Sequence, residues 1–240
     1  MVTLEALNLT KRYGKRLVVN NICLELSDHS IVGLLGPNGA GKTTTFYIIA
    51  GLIQPNEGTV SLDGRDVTRL PMHERAKMGI TYLPQEPSVF RHLTVSDNLR
   101  LVFEERGLSR DEIEVRVAKM LGDMGLEALA GHMAHSLSGG ERRRLEVLRA
   151  LATDPRFMLL DEPFAGIDPL AVSDLQGIIR GLKERGIGVL ISDHNVRETL
   201  TVCDRAYIVN DGAIVEEGPP THIASSAFVK KIYLGESFRL

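Results

Sequence analysis

The sequence predicts an α/β fold built on a mostly parallel core sheet, with a strand-rich N-terminal part and a helical region in the middle. Three observations carry that expectation. After Ser138, short apolar runs alternate with helical stretches, and strand, helix, strand in that order implies parallel pairing with crossover helices. A glycine-rich turn, Gly36 to Gly41, joins an apolar run to a helix. From about Val95 to Leu137, apolar residues recur at helical intervals.

Taken in order, residues from Val18 to Leu26 roughly alternate apolar and polar, and Ile31 to Leu35 is a short apolar run. A helix from near Lys42 stops at Gly51, with Pro55 beyond. Thr59 to Leu62 alternates again and meets the turn pair Asp63-Gly64. The middle is rich in Leu, Met, Glu and Arg, with Val117, Met120, Leu121 and Met124 on one helical face, and is punctuated by Gly107, Gly125 and Gly131. It reads as about three short helices, since a loop of that length rarely carries such spacing. A helix from Ser138 to about Thr153 closes at Asp154-Pro155, and Phe157 to Leu160 is a buried strand. A helix from about Pro169 to Arg185 stops at Gly186, and Ile187 to Ile191 is a second buried strand. Ala206 to Val209, the turn Asn210-Asp211-Gly212 and Ala213 to Glu216 read as a hairpin.

Composition narrows the function classes. The 240 residues are 43% hydrophobic, enough for a sizeable core. Lys plus Arg is 28 against 31 Asp plus Glu, a net charge of −3 that argues against broad nucleic-acid binding. No apolar run approaches the roughly 18–20 residues that cross a bilayer, and the N-terminus lacks the layout of a secretory signal. A cytoplasmic chain is expected. Cys23 and Cys203 sit in no metal-like spacing and are expected to be buried or half-buried thiols.

The chemistry lies in three places. Gly36-Pro37-Asn38-Gly39-Ala40-Gly41-Lys42-Thr43-Thr44 fits G-x-x-x-x-G-K-[ST] between a strand and a helix. Its glycines let successive N–H groups face phosphate oxygens, Lys42 supplies a point charge, and the Thr43 hydroxyl suits Mg²⁺. Asp161-Glu162 ends the apolar strand at the edge where parallel sheets bind ligands. There Asp161 is the metal carboxylate and Glu162 the general base. An acidic pair at a strand end also suits a helix N-cap, and the phosphate loop tips the choice. Leu137-Ser138-Gly139-Gly140-Glu141 opens a helix and is a second anion-grade turn.

Phosphate loop, LSGGE and the apolar-DE strand, in this order, resemble the nucleotide-binding subunits of ATP-binding-cassette (ABC) transporters over essentially the whole chain. The resemblance implies a P-loop NTPase of the ABC ATPase type over residues 1–240. It would have an N-terminal antiparallel β subdomain, a helical subdomain at about 90–150, and a C-terminal hairpin and tail at about 205–240. It also implies ATP and Mg²⁺ as cofactors. Tyr13 falls where the family stacks an aromatic on adenine. Gln85 stands where its glutamine touches Mg²⁺ and senses the membrane partner, and His194 where its switch histidine meets the γ-phosphate. Ala165 to Asp168 looks like the loop that crosses the dimer interface. The family further implies a head-to-tail homodimer, in which Ser138, Gly139, Gly140 and Glu141 of one chain cover ATP held by the other. The pore would be made by transmembrane permease subunits, contacted through Gln85 to Leu93, where Val89, Phe90 and Leu93 are expected to be exposed.

Within the family, Asp161 to Pro169, Ser192 to Leu200 and the tail Tyr233 to Leu240 are similar to the ATPase subunit of the lipopolysaccharide exporter. That implies a place on the cytoplasmic face of the inner membrane and a tail that docks on the chain's own dimer. The alternative is the ATPase subunit of a branched-chain amino-acid importer, which shares a Pro-Phe-Ala-Gly stretch. A soluble ABC ATPase acting on ribosomes or DNA usually carries two cassettes or a coiled-coil insert, and 240 residues hold neither. A P-loop small-molecule kinase would lack LSGGE.

Overall fold

The computed structural model describes residues 2–240. Strands β1 (Thr3–Tyr13), β2 (Arg16–Ser27) and β3 (Ile31–Leu35) lead to helix α1 (Lys42–Ala50). Then come β4 (Glu57–Leu62), β5 (Arg65–Asp66), α2 (Met72–Lys77) and β6 (Ile80–Leu83). Helices α3 (Val95–Glu105), α4 (Arg110–Asp123) and α5 (Gly139–Leu151) fill the middle. The last third is β7 (Phe157–Asp161), α6 (Pro169–Glu184), β8 (Gly188–Ser192), α7 (Val196–Val202), β9 (Arg205–Asn210), β10 (Ala213–Gly218) and α8 (Pro220–Ser225).

Two sheets form. β2, β1, β4 and β5 lie side by side in that order, every pairing antiparallel. β2 buries Val19, Ile22, Leu24 and Leu26 on one face. The same alternation turns Cys23 outward, so this thiol is exposed and only Cys203 is buried, contrary to expectation. The second sheet runs β10-β9-β3-β8-β7-β6, parallel except for the terminal β9–β10 hairpin. β3, β7 and β8 are buried along their whole length, as central parallel strands with covered faces must be. One face of this sheet packs with α1 around Phe46, Ile49 and Leu159, and the other packs on α6 around Leu160, Leu175 and Ile179.

The middle region buries Val95, Leu99 and Phe103 of α3 against Ile113, Val117 and Leu121 of α4 and Leu145 and Leu148 of α5. Thr94 caps α3, and Ser109 with Glu112 forms a capping box on α4. Val89 joins this cluster at 7% exposure and Leu93 is half-buried, leaving Phe90 at 45% as the exposed apolar side chain of that turn. The expected exposure of Val89 and Leu93 is therefore corrected: the helical cluster needs a floor, and Val89 supplies part of it. The tail folds back on its own chain. Tyr233, Leu234 and Phe238 pack around Leu35, Leu200 and Ile208, and Arg197 Nη2 donates to the carbonyl of Arg239 at 2.7 Å.

One buried cation braces the phosphate-loop helix. Arg75 of α2 is wholly buried, and its guanidinium donates to the carbonyls of Ile48 (2.8 Å), Ile49 (2.6 Å), Leu70 (2.9 Å) and Thr68 (2.8 Å). Two of these lie at the C-terminal end of α1, where the macrodipole is negative; the Ile48 carbonyl also accepts the Gly51 N–H at 3.2 Å, whereas the Ile49 carbonyl is met by Arg75. Burial lowers the Arg75 pKa to about 10, which leaves it charged at neutral pH. Arg75→Met keeps the volume but strands the Ile49, Thr68 and Leu70 carbonyls. It should cost about 2–3 kcal/mol, a fall in Tm of about 5–10 °C by scanning calorimetry. An unchanged Tm would refute the brace.

Candidate nucleotide site

Four parallel strands deliver the site. β3 ends in the phosphate loop, β7 in Asp161-Glu162, β8 in Ser192-Asp193-His194, and β6 in Pro84-Gln85. Their registers, Leu34↔Ser192, Asp161↔Ser192 and Leu83↔Leu160, bring these ends to one edge.

The loop is preformed. Gly36, Gly39 and Gly41 have φ of +148°, +78° and +102°, and a Cβ on Gly36 would sit 2.0 Å from the Val209 carbonyl oxygen. α1 starts with no side-chain cap and no acid in its first turn, so its opening N–H groups suit an anion. Lys42 is 9% exposed, and its Nζ donates to the carbonyls of Gly36 (2.6 Å) and Pro37 (2.9 Å). Burial lowers its pKa, and Glu162, Asp161 and Asp193 pull the other way. Asn38, Gly39 and Thr43 are exposed, Pro37 and Thr44 half-buried, and Ala40 buried.

Glu162 is the meeting point. Its Oε2 accepts from Gln85 Nε2 at 2.9 Å and lies 3.2 Å from His194 Nδ1. Its φ of +43° is a left-handed backbone that costs a non-glycine residue about 1–3 kcal/mol, strain of the kind kept at functional sites. Asp161 is almost wholly buried. Its carboxylate has one side-chain hydrogen bond among the described residues, from the Tyr82 hydroxyl at 3.1 Å. Burial raises the Asp161 pKa, and the Tyr82 bond opposes that rise. Tyr82 itself is pushed well up by burial, so it keeps its proton. The Thr43 hydroxyl, Gln85 amide and Asp161 carboxylate each offer oxygen, the donor type that a hard divalent cation takes.

Of the other expected residues, Gly139 reaches the Gln85–Glu162 cluster, and the rest have their own local partners. Ser138 and Glu141 form a capping box, with Ser138 Oγ donating to Glu141 Oε2 at 2.7 Å, which lowers the Glu141 pKa. Gly139 shares a cavity of about 140 Å³ with Gln85, Glu162 and Gly166. Gly140 faces Ala171. Asp168 caps α6 by accepting from the Ala171 N–H at 3.0 Å. Tyr13 is 52% exposed under Lys11 Nζ, 5.5 Å from its ring centroid.

Sequence reading passed over two groups. Asp193 is fully buried and accepts from the N–H groups of Asn195 (2.7 Å) and Phe164 (2.8 Å), joining the turns after β7 and β8. A second network ties α5 to the turn after Gln85. Arg143 Nη1 donates to the Pro84 carbonyl (3.2 Å) and to Glu146 (2.9 Å), whose other oxygen accepts from Ser88 N–H at 3.0 Å. Arg149 donates to the Ser88 carbonyl and lies 4.4 Å over the Phe90 ring.

The family model described as ABC transporter matches residues 19–165. The lipopolysaccharide export system ATP-binding protein LptB of Acidithiobacillus ferridurans is 54% identical, covering 99% of this chain and 98% of its own. The protein of the same name from Escherichia coli (strain K12) is 53% identical over the full length of both. A crystal structure of an ABC transporter's ATP-binding cassette in its ADP conformation is 29% identical, with a TM-score of 0.87 over 98% of this chain and 100% of that one. A family model that takes in the phosphate loop and the β7 carboxylates, and relatives matched from end to end, lead to one conclusion: the chain belongs to the ABC transporter family and is one of its ATP-binding, ATP-hydrolysing subunits.

Proposed function

We propose that this chain is the ATPase subunit of a lipopolysaccharide exporter. The observation that carries the reading is the match, from end to end at 51–54% identity, to proteins named for lipopolysaccharide export. No helix among the described residues is long and apolar enough to cross a membrane. In this reading the lipid path belongs to permease subunits, and this chain works at the cytoplasmic face of the inner membrane.

The chemistry follows from the residues. Phosphates enter the Gly36–Thr44 cradle, and Lys42 trades its two carbonyl bonds for phosphate oxygens. Mg²⁺, held by Thr43, Gln85 and Asp161, would neutralise phosphate charge. Glu162 accepts a proton from the attacking water, and Gln85 and His194 hold its carboxylate in place. Tyr13 offers its exposed ring to adenine. Ser138, Gly139, Gly140 and Glu141 close over the nucleotide of a second copy packed head to tail. The Ser138–Glu141 box must then open to offer its donors.

Glu162→Gln should keep ATP binding and cut turnover by about 10²–10⁴, the share of a general base. It should also hold an ATP-bound dimer, visible by size exclusion with ATP and Mg²⁺. Near-normal turnover would remove Glu162 from the role.

Mixing Lys42→Ala chains with Ser138→Arg chains tests the shared site. The heterodimer gathers both lesions in one site and leaves the other intact, so ATPase activity should partly return. Two variants that exchange subunits and stay inactive would count against head-to-tail packing.

Phe90 is the proposed anchor for a short helix of the permease. Its ring is exposed, stacked under Arg149, and set on a backbone that Asn98 latches from both sides (2.9 and 3.0 Å). Phe90→Ala should weaken assembly with the permease by about 2 kcal/mol in detergent pull-downs. The Tm of the free subunit should hold, and normal complex yield would eliminate the anchor.

A further inference from the structure

Tyr82 stands at a junction that the mechanism leaves unused. In the parallel ladder Tyr82 is the partner of Leu159, so its side chain shares a sheet face with Leu159 and, two residues on, with Asp161. That face packs on α1. The Tyr82 ring meets Phe46 and Tyr47 edge-on, with both centroids at 6.1 Å. Its hydroxyl then reaches Asp161 Oδ2 at 3.1 Å. Three residues further along the chain is Gln85, whose amide holds Glu162.

We propose that Tyr82 is a positioning residue for the divalent cation: its hydroxyl holds one oxygen of Asp161 so that the other is presented to the metal. The inference rests on the reading of Asp161 as the metal carboxylate. A carboxylate at a strand end turns freely about its side-chain torsions, and a cation needs it in one orientation. Outer hydrogen bonds of this type fix ligands at metal sites. Packing against Phe46 and Tyr47 leaves the Tyr82 ring little freedom, so the hydroxyl is a fixed point rather than a mobile donor. Because β6 runs straight into the turn that bears Gln85, a shift of that turn is carried by Tyr82 to the carboxylate as well. Two ligands of one cation would then answer to a single strand.

Tyr82→Phe removes the hydroxyl and keeps the ring. In the full chain with ATP bound, the Mg²⁺ concentration giving half of the metal-dependent rise in Tm should increase about tenfold, the lower end of outer-ligand effects. The Mg²⁺ dependence of ATPase rate should shift in parallel. Binding of a fluorescent ATP analogue in EDTA should match the parent, as should the Tm of the nucleotide-free chain. Asp161→Asn is the companion variant. If it loses the Mg²⁺ response and Tyr82→Phe keeps the parent midpoint within twofold, the positioning role is overturned and the metal reading survives. If Asp161→Asn keeps the parent response, the metal reading falls and takes the inference with it. A large Tm loss in nucleotide-free Tyr82→Phe would mark the hydroxyl as structural and also overturn the proposal.

Discussion

Parallel pairing of β3, β8, β7 and β6 ends four strands at one edge. Asp161 is the last residue of β7, Glu162, Asp193 and His194 follow within two residues of β7 and β8, and the phosphate loop carries the chain from β3 to Lys42. β3 is apolar throughout and β7 and β8 are apolar up to their last residues, Asp161 and Ser192, so the polar groups stand where low-dielectric packing ends. This is why burial shifts Lys42, Asp161 and Asp193 toward their neutral forms: the carboxylates Glu162, Asp161 and Asp193 oppose the shift at Lys42, and hydrogen bonds from Tyr82, Asn195 and Phe164 oppose it at the two aspartates. The arrangement needs a firm platform on both faces. Phe46 and Ile49 of α1 supply one, α6 the other, and Arg75 closes the far end of α1, where the Ile49 carbonyl would otherwise be stranded.

Contiguous features were legible in the sequence. The phosphate loop, LSGGE and the Asp161-Glu162 step each fit within a few residues, because a turn that binds phosphate is made of neighbouring backbone groups. The parallel sheet was legible for the same reason, as runs of four or five apolar residues admit few other homes. What escaped was action at long sequence range. Tyr82 and Asp161 are 79 positions apart, and their bond exists only because β6 and β7 are neighbours in the sheet. Arg75 carries no local signal, because its four carbonyl partners lie in α1 and in the turn before α2. Asp193 passed as one letter of a family segment. At Val89-Phe90 local pattern could not say which apolar side chain turns inward, since the packing of α3 and α5 decides it.

Helix α5 has a double attachment that bears on coupling. Its first residues carry the Ser138–Glu141 box, and its middle, through Arg143, Glu146 and Arg149, grips Pro84 and Ser88 on either side of Gln85. The buried Arg143–Glu146 pair spends its bonds on main-chain groups as well as on itself. Its worth is therefore geometric, since a buried ion pair adds little stability of its own. Whatever displaces Phe90 pulls on Arg149, and through the helix on the serine at its start.

The buried Asp193 carboxylate has a different reach. By accepting one N–H from the segment after β7 and one from the segment after β8, it welds two turns that the chain leaves 29 residues apart. His194 stands on one and Ala165-Gly166 on the other, so neither can drift alone. A histidine drawn toward a phosphate would drag the neighbouring turn with it as a single lever arm.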